Sequence, residues 1–184
     1  MKPLRTLLMA CIGTLLLPAC SEDVENLYSN QPAYFVYQYV QTAPCLYTSL
    51  NNPGEFSTIQ LDRQRYIFRN LKSEYIANQT ALANYSSFRM GIAGFIVGLP
   101  NLPEPGMETS RVVCYDLACS NCYSQLMLSA SLQLQENGKA YCSRCQRTYD
   151  LNNGGIVSEG EGGGNLLRYR ITYDGRNNLV INNQ

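Results

Sequence analysis

The stretch from Ala118 to Leu151, ACSNCYSQLMLSASLQLQENGKAYCSRCQRTYDL, contains two Cys-x-x-Cys pairs separated by nineteen residues. A two-residue gap lets a tight loop direct both sulfurs at one point, and two such loops supply the four corners of a tetrahedron. The spacing therefore predicts a four-cysteine metal site. Its ligands would be Cys119, Cys122, Cys142 and Cys145. Between the pairs, Asn137-Gly138 is a strong hairpin signal, so we expect the two loops to lie among short strands.

Outward from this stretch, short runs rich in aromatic and β-branched residues alternate with turn signals. This pattern predicts an all-β fold, an antiparallel sandwich or barrel. The predicted strands are residues 33–40, 56–61, 94–99, 110–118, 125–130, 131–135, 138–142, 147–151 and 154–158, followed by two runs around Asp174-Gly175. Residues 70–88 are too irregular to decide between a short helix and an ordered loop. The glycine-rich residues 159–165, EGEGGGN, lack the Lys-Ser/Thr ending of a phosphate loop and indicate a flexible hairpin connection.

The beginning of the chain resembles a bacterial export signal. Lys2 and Arg5 precede an apolar run, residues 7–17, that is too short to cross a bilayer. The run ends in Leu-Pro-Ala-Cys, which resembles a lipobox and predicts cleavage before Cys20 and lipidation of that residue. The alternative is an ordinary secretory signal with Cys20 as an incidental thiol. We expect a signal sequence at residues 1–19, a lipidated tether at residues 20–32 and one domain at residues 33–184.

Composition excludes several functions. Removal of residues 1–19 leaves 12 basic and 14 acidic residues, and no basic patch suggests binding to nucleic acid. The chain has no histidine, which excludes histidine-ligated zinc and catalysis by a Ser–His or Cys–His pair. We therefore expect a protein without enzymatic activity. Its partners would be the membrane, through the lipid anchor, and a protein or redox partner that the sequence does not name.

Disulfides are the alternative use of the same cysteines, because an exported chain meets an oxidising compartment. A disulfide within or between the two loops is worth about 2–3.4 kcal/mol in the chain-entropy model, whereas four thiolates bind zinc with about 10–16 kcal/mol. Metal is favoured if it arrives before the oxidant, and cross-linking stays open. Two cysteines are left over, Cys45 and Cys114. They would either form a disulfide across a long loop or remain as two buried thiols.

The second half of the chain, residues 111–182, resembles a Rieske-type iron–sulfur domain. The order of features is similar: a strand ending in Tyr-Asp-x-x-Cys, a first loop, a hairpin, and a second loop of Cys-x-x-ligand form. A Tyr-Asp-Leu…Gly strand, a glycine-rich loop and a closing hairpin follow. The resemblance is strongest to Rieske-like lipoproteins of the Bacteroides group. It implies a Rieske-like β domain with a two-loop site subdomain at about residues 114–158, in an outer-membrane lipoprotein facing the periplasm or the cell surface.

The chain departs from that family at the ligands. A Rieske cluster needs two histidines on one iron, supplied by Cys-x-His and Cys-x-x-His. Here the second ligand of the first loop, Cys122, has moved one position along, and Cys145 takes the place of the histidine in the second loop. Four cysteines can hold one zinc ion, a single iron or an all-cysteine [2Fe–2S] cluster. Zinc is slightly favoured because it is the least sensitive to oxidant.

Three functions follow from these alternatives. The first is a structural zinc in a binding or assembly module, and the second is an electron-transfer centre. In an electron-transfer centre, the sulfurs would be tuned by Ser120, Asn121, Ser143 and Arg144. The third is a binding domain stapled by disulfides. Thiol–disulfide exchange is disfavoured because no helix is predicted beside either pair. Arg144 and Arg147 could offset the charge of the thiolates, but they are expected on a solvated face, and Asp116 and Asp150 are expected to be turn-formers.

Overall fold

The computed structural model describes residues 27–82 and 84–183, and the regular secondary structure of this part of the chain is mostly β-strand. Fourteen strands form three antiparallel sheets, and two short α-helices accompany them. The predicted all-β class is therefore confirmed. Neither helix of the described residues is long and apolar enough to span a membrane. The predicted signal sequence and Cys20 lie outside the described residues.

The largest sheet, called the central sheet here, has six strands in the order β12-β7-β6-β2-β3-β4. Each neighbouring pair is antiparallel. Its strands are β2 (Glu55–Asp62), β3 (Arg65–Arg69), β4 (Glu74–Asn78), β6 (Phe95–Leu99), β7 (Val113–Asp116) and β12 (Arg168–Tyr169).

Two four-stranded sheets complete the fold. The terminal sheet, in the order β13-β14-β1-β5, joins the two ends of the described chain. Its strands are β1 (Ala33–Tyr37), β5 (Arg89–Met90), β13 (Ile171–Tyr173) and β14 (Leu179–Asn182). The site sheet, in the order β11-β10-β9-β8, carries the second cysteine pair. Its strands are β8 (Gln133–Gln135), β9 (Lys139–Tyr141), β10 (Thr148–Asp150) and β11 (Ile156–Glu159).

The central sheet contributes to two separate hydrophobic cores, because successive residues of a strand point to opposite faces. On β6, Phe95 and Val97 belong to a large core shared with the terminal sheet and with α1 (Pro44–Asn51). Ile96, between them, belongs to a smaller core shared with the site sheet, called the site core. The same alternation on β7 sends Cys114 into the large core and its neighbours into the site core.

Several predicted elements are confirmed and others are wrong. Asn137 and Gly138 form the β8–β9 turn with φ angles of 60° and 66°, as the hairpin signal indicates. The strand predicted at residues 125–130 is wrong, because the chain there completes α2 (Ser120–Leu126) and turns back. The hairpin predicted at residues 159–165 is wrong too, because the strands that it joins, β11 and β12, lie in different sheets. Residues 70–88 contain β4, and α1 has no counterpart among the predicted elements.

The described chain is attached to the domain before the first strand. Arg170 lies 4.6 Å from the centre of the Tyr28 ring, in a cation–π contact. Ser29 donates its N–H to the carbonyl of Arg168 at 2.8 Å, and its own carbonyl accepts from the side chain of Asn183. The chain is therefore held in place from Tyr28 onward, ahead of the predicted domain start at Ala33.

Asp116, at the end of β7, is a buried hub rather than the turn-former that the sequence suggests. Its Oδ2 accepts hydrogen bonds from the Ile92 N–H and the Tyr169 hydroxyl, at 2.7 and 2.6 Å. Its Oδ1 accepts from the N–H groups of Ala93 and Ala118, at 3.3 and 2.7 Å. One carboxylate thereby joins the β5–β6 connection, β12 and the start of the first cysteine loop.

We expect Asp116→Asn to lower the free energy of unfolding by about 2–4 kcal/mol, because an amide NH₂ would face buried donors and leave them unsatisfied. Asp150→Asn is the matched control, since that carboxylate is only partly buried and accepts the N–H of Asn152. Its loss should stay below about 1 kcal/mol. Guanidinium unfolding of both variants measures the difference. Equal losses would contradict the hub role of Asp116.

Candidate metal centre

The first cysteine loop leaves β7 and is closed at its base by backbone hydrogen bonds. Leu132 donates its N–H to the carbonyl of Leu117, and Cys119 donates to Ala130, both at 2.8 Å. Within this closure Cys119 is the N-cap residue of α2, and Cys122 lies in the first turn of the helix. The loop therefore presents its two sulfurs from the start of one short helix.

The second cysteine loop is the turn between β9 and β10. The N–H of Cys142 donates to the carbonyl of Arg147 at 2.9 Å, and the N–H of Gln146 donates to the carbonyl of Cys142 at 2.8 Å. Gln146 has a φ angle of 58°, in the left-handed region that a tight turn of this kind requires. The loop thus directs Cys142 and Cys145 towards α2.

The two loops bring the four predicted ligands together. Their sulfur atoms all lie within 4.8 Å of one another. Across the loops, the Sγ atoms of Cys119 and Cys145 are 3.5 Å apart, and those of Cys122 and Cys142 are 3.8 Å apart. Three of the cysteines are no more than 1 % exposed, and Cys145 is partly exposed. This cluster, called the cysteine quartet below, could hold a metal ion.

One hydroxyl group lies next to the sulfur of Cys119, and a second hydroxyl is hydrogen-bonded to the first. The Tyr149 hydroxyl lies 3.2 Å from its Sγ, and Ser120 donates to the same tyrosine oxygen at 3.4 Å. Tyr149 is fully buried in the site core and comes from β10. The sequence analysis names Ser120 but not Tyr149. The Tyr-Asp-Leu motif noted in the sequence contains Tyr149. A tyrosine in a predicted strand, however, does not by itself indicate that its hydroxyl contacts a sulfur.

Arg147 connects the second loop to the glycine-rich residues 159–165, called the glycine-rich loop below. Its Nε donates to the Glu161 carbonyl at 2.9 Å, and its Nη2 donates to the Gly162 carbonyl and the Glu161 side chain, both at 3.3 Å. The expected solvated position of Arg147 is therefore wrong, since the residue is only 6 % exposed. Arg144 is exposed, as expected, and so is Ser143.

The glycine-rich loop also contacts the first cysteine loop. Ser120 donates its hydroxyl to the Gly164 carbonyl at 3.2 Å. A Cβ atom on Gly163 would lie 3.4 Å from the Nε of Arg147 and 3.4 Å from the Oδ1 of Asn121. The glycine-rich loop therefore packs against both cysteine loops.

The thiols of the quartet differ in acidity. Burial raises the pKa of Cys119 and of Cys122, and hydrogen bonds with neighbouring thiols raise the pKa of Cys122 further. Burial also acts to raise the pKa of Cys145. However, hydrogen bonds from the side chain and backbone of Arg147, and from the neighbouring thiols, lower it to about 7. In the metal-free protein Cys145 is therefore the first of these three thiols to lose its proton. Metal binding would have to displace the protons of the other two.

The expectation that no helix adjoins either cysteine pair is wrong, because α2 begins directly after Cys119. A helix N-terminus ordinarily lowers the pKa of a thiol. Here burial outweighs it, and the pKa values of Cys119 and Cys122 are raised. The first pair consequently lacks the low-pKa nucleophile that thiol–disulfide exchange uses.

The remaining predicted cysteines lie in the large core, away from the quartet. Cys45 and Cys114 are both fully buried and are free thiols in the structure. Cys45 donates its thiol to the Phe68 carbonyl at 3.3 Å, and the Cys114 sulfur lies 4.0 Å from the carbonyl oxygen of Tyr115. The sequence left two arrangements open, a disulfide between these cysteines or two buried thiols. The structure contains the two buried thiols.

Comparison with known proteins identifies no relative. No protein-family model matches the chain, and no curated protein matches it. The function is therefore argued from the geometry of the site.

In reduced, metal-free protein, we expect iodoacetamide to modify Cys145 with a pH midpoint near 7, because its pKa is lowered to about 7 and the thiolate is the nucleophile. The midpoint for Cys119 should lie above about 8.5, the ordinary value for a thiol. Arg147→Gln should move the Cys145 midpoint upward, whereas the exposed Arg144→Gln should leave it unchanged. Site-resolved mass spectrometry over a pH series measures this, and one shared midpoint would refute it.

Proposed function

We propose that the quartet binds one zinc ion in a structural role, in an exported, lipid-anchored β domain that serves as a binding or assembly module. The observation that supports this proposal most strongly is the convergence of four thiol sulfurs within 4.8 Å, three of them buried. No nearby histidine or water-filled position is needed to complete a four-coordinate site, since four cysteines suffice.

The spacing of the sulfurs favours a single ion. A tetrahedral zinc site with Zn–S distances near 2.3 Å has sulfurs about 3.8 Å apart, and the two cross-loop distances are 3.5 and 3.8 Å. A two-iron cluster would place two pairs of thiolates on different irons, and those pairs would lie farther apart than pairs on one ion. The limit of 4.8 Å on every pair supports the single ion.

A structural role agrees with the positions of the ligands. Four cysteines would fill all four positions of a tetrahedral ion, which leaves no open position for catalysis. The ion would join the loop around α2 to the β9–β10 turn, and the glycine-rich loop would be held through Arg147 and Ser120. The binding energy of the metal would then contribute directly to the folding of the site core.

The proposed location depends on the beginning of the chain and on the Rieske-like order of features in its second half. The Leu-Pro-Ala-Cys sequence supports lipidation at Cys20 and export to the outer membrane, on the periplasmic or the surface side. The resemblance to Rieske-like lipoproteins supports a descent in which the two-loop site was kept and its histidines were replaced by cysteines. Neither the module's protein partner nor its ligand is named by these features.

Electron transfer is the second candidate function, and one contact favours it. The Tyr149 hydroxyl lies 3.2 Å from the Sγ of Cys119, and hydrogen bonds to ligand sulfurs tune the potential of iron centres. The quartet could hold a single iron, or an all-cysteine [2Fe–2S] cluster if its sulfurs moved apart. Metal analysis separates the two candidates.

We expect about one zinc per chain and no visible colour in protein purified under reducing, anaerobic conditions, because zinc has no accessible oxidation states. Chelation should lower the melting temperature by roughly 15 °C or more, since metal binding contributes to folding. Elemental analysis, absorption spectroscopy and calorimetry measure these quantities. Iron with sulfur-to-iron charge-transfer bands would replace the zinc proposal by electron transfer. Absence of metal together with absence of titratable thiols would replace it by disulfides.

A pair of variants tests the assignment of the ligands. Cys122→Ser should abolish stoichiometric zinc binding, because the quartet loses one of its buried ligands. Cys114→Ala is the matched control, since this equally buried cysteine lies in the large core and should leave the zinc content unchanged. Equal zinc in the two variants would show that the ion binds elsewhere.

Lipidation is tested in a bacterial host that processes lipoproteins. Cys20→Ala should remove acyl chains from the N-terminal peptide and release the chain from the membrane fraction, because both depend on the lipidated cysteine. Cys11→Ala, within the predicted signal, is the control and should leave acylation unchanged. Mass spectrometry and fractionation measure both, and an unmodified Cys20 in the parent chain would overturn the anchor.

A further inference from the structure

The chain directly after α2 exposes three consecutive apolar residues. Leu126, Met127 and Leu128 are 57, 71 and 38 % exposed. They are called the apolar turn below. Single exposed apolar residues are ordinary, but a contiguous group indicates a contact surface. This group lies at the end of the helix that begins beside Cys119. It therefore belongs to the part of the domain that contains the cysteine quartet, called the metal end below.

The apolar turn is held in a fixed position relative to the quartet. The N–H groups of Met127 and Leu128 both donate to the carbonyl of Cys122. Met127 has a φ angle of 53°, which reverses the chain at this point. The backbone of a proposed metal ligand therefore holds the apolar side chains in their outward position.

The chain on either side of the apolar turn carries no charged side chain. Residues 117–135 include no Asp, Glu, Lys or Arg, and their exposed polar residues are serine and glutamine. An uncharged surface can leave water without the cost of desolvating ions.

The three apolar side chains together expose on the order of 300 Å², well below the roughly 800 Å² per partner of a stable protein interface. The small area favours shallow insertion into a lipid surface over a stable contact with a second copy or another protein.

The position of the N-terminal segment points to the same occupant. Leu27, the first described residue, is 59 % exposed and lines the same surface cavity as Gly164. The Gly164 carbonyl accepts the hydroxyl of Ser120, the first residue of α2. Since α2 is about 10 Å long, the apolar turn lies about that far from Ser120, at the other end of the helix. Seven residue steps separate Leu27 from Cys20, a reach of at most about 25 Å.

From these observations we infer that the apolar turn contacts the bilayer to which the chain is anchored, and that it seats the metal end of the domain on the lipid surface. The inference rests on the proposed lipidation of Cys20. Anchoring keeps the turn at high effective concentration near the membrane, so even a small apolar surface is sufficient for contact.

The absence of tryptophan from the chain allows a direct test. Met127→Trp places a single fluorophore on the apolar turn. Tyr39→Trp, at a 49 % exposed position next to the terminal sheet, is the matched control. Each full-length variant is lipidated in the host, extracted, loaded with zinc and reconstituted into phosphatidylethanolamine–phosphatidylglycerol vesicles, with or without brominated acyl chains. Unchanged zinc content of the variants shows that the site is intact.

In brominated vesicles we expect the Met127→Trp variant to lose about half of its emission, because the bromines quench only fluorophores within the acyl region. The control should be unaffected, and adding Leu126→Gln to Met127→Trp should reduce the quenching. Equal quenching of the Met127→Trp and Tyr39→Trp proteins would overturn the inference. Protection of the Met127→Trp fluorophore from acrylamide without bromine quenching would overturn it as well, and would indicate a protein partner or a second copy on the turn.

Mass spectrometry of the N-terminal peptide separates failure of the anchor from failure of the inference. If Cys20 carries acyl chains and the Met127→Trp emission is unchanged, only the seating of the domain is overturned. If Cys20 carries none, the anchor is overturned. In that case bromine quenching on added vesicles still supports lipid contact by the turn, and lack of quenching overturns both.

Discussion

Four cysteine sulfurs within 4.8 Å of one another, three of them shielded from water, impose the constraint on which this structure depends. Thiolates that close repel one another strongly, and burial makes each charge more costly. The raised pKa values of Cys119 and Cys122 are the metal-free response to this constraint, because protonation removes the charge. A bound cation would be the other response, since it would neutralise the thiolates and take the place of their protons.

The polar groups around the quartet are arranged to support it from outside. Asp116 holds the N–H of Ala118, one residue before the first ligand, and joins it to Tyr169 on β12. Arg147 holds the glycine-rich loop two residues after the last ligand. Side chains that orient ligands in this way limit the freedom of the loops, so a bound metal would not have to order them alone. The two cores meet at the central sheet.

The outward surface follows from the same arrangement. A helix of seven residues starts at one ligand pair, and its last turn must return to the site sheet within a few residues. The carbonyl of Cys122 accepts the N–H groups of this return, and the apolar side chains of the turn are thereby left in solvent. An arrangement that closes the metal loop thus also creates the exposed surface for which a lipid contact is inferred.

Local signals were sufficient where one short stretch carries the information. Cys-x-x-Cys spacing predicted that four cysteines converge, and Asn137-Gly138 predicted its hairpin because few residues adopt positive φ angles. The same kind of signal failed at residues 125–130. A short apolar run fits a strand or the end of a helix equally well, and only the backbone bonds to Cys122 and Tyr123 distinguish them. Tyr149 and Arg147 were missed or misplaced because their partners lie far away in the sequence.

The sequence by itself determined the donor chemistry: four paired cysteines and no histidine restrict the site to thiolate ligation wherever the loops lie. It also determined the all-β class, through alternation and turn residues that act over a few positions. Tertiary structure decided that sulfurs of Cys119 and Cys145, 26 residues apart, approach to 3.5 Å. It likewise decided that Arg147 is buried while Met127 is exposed. The physical reason is that strand pairing and core packing set these distances, and both are non-local.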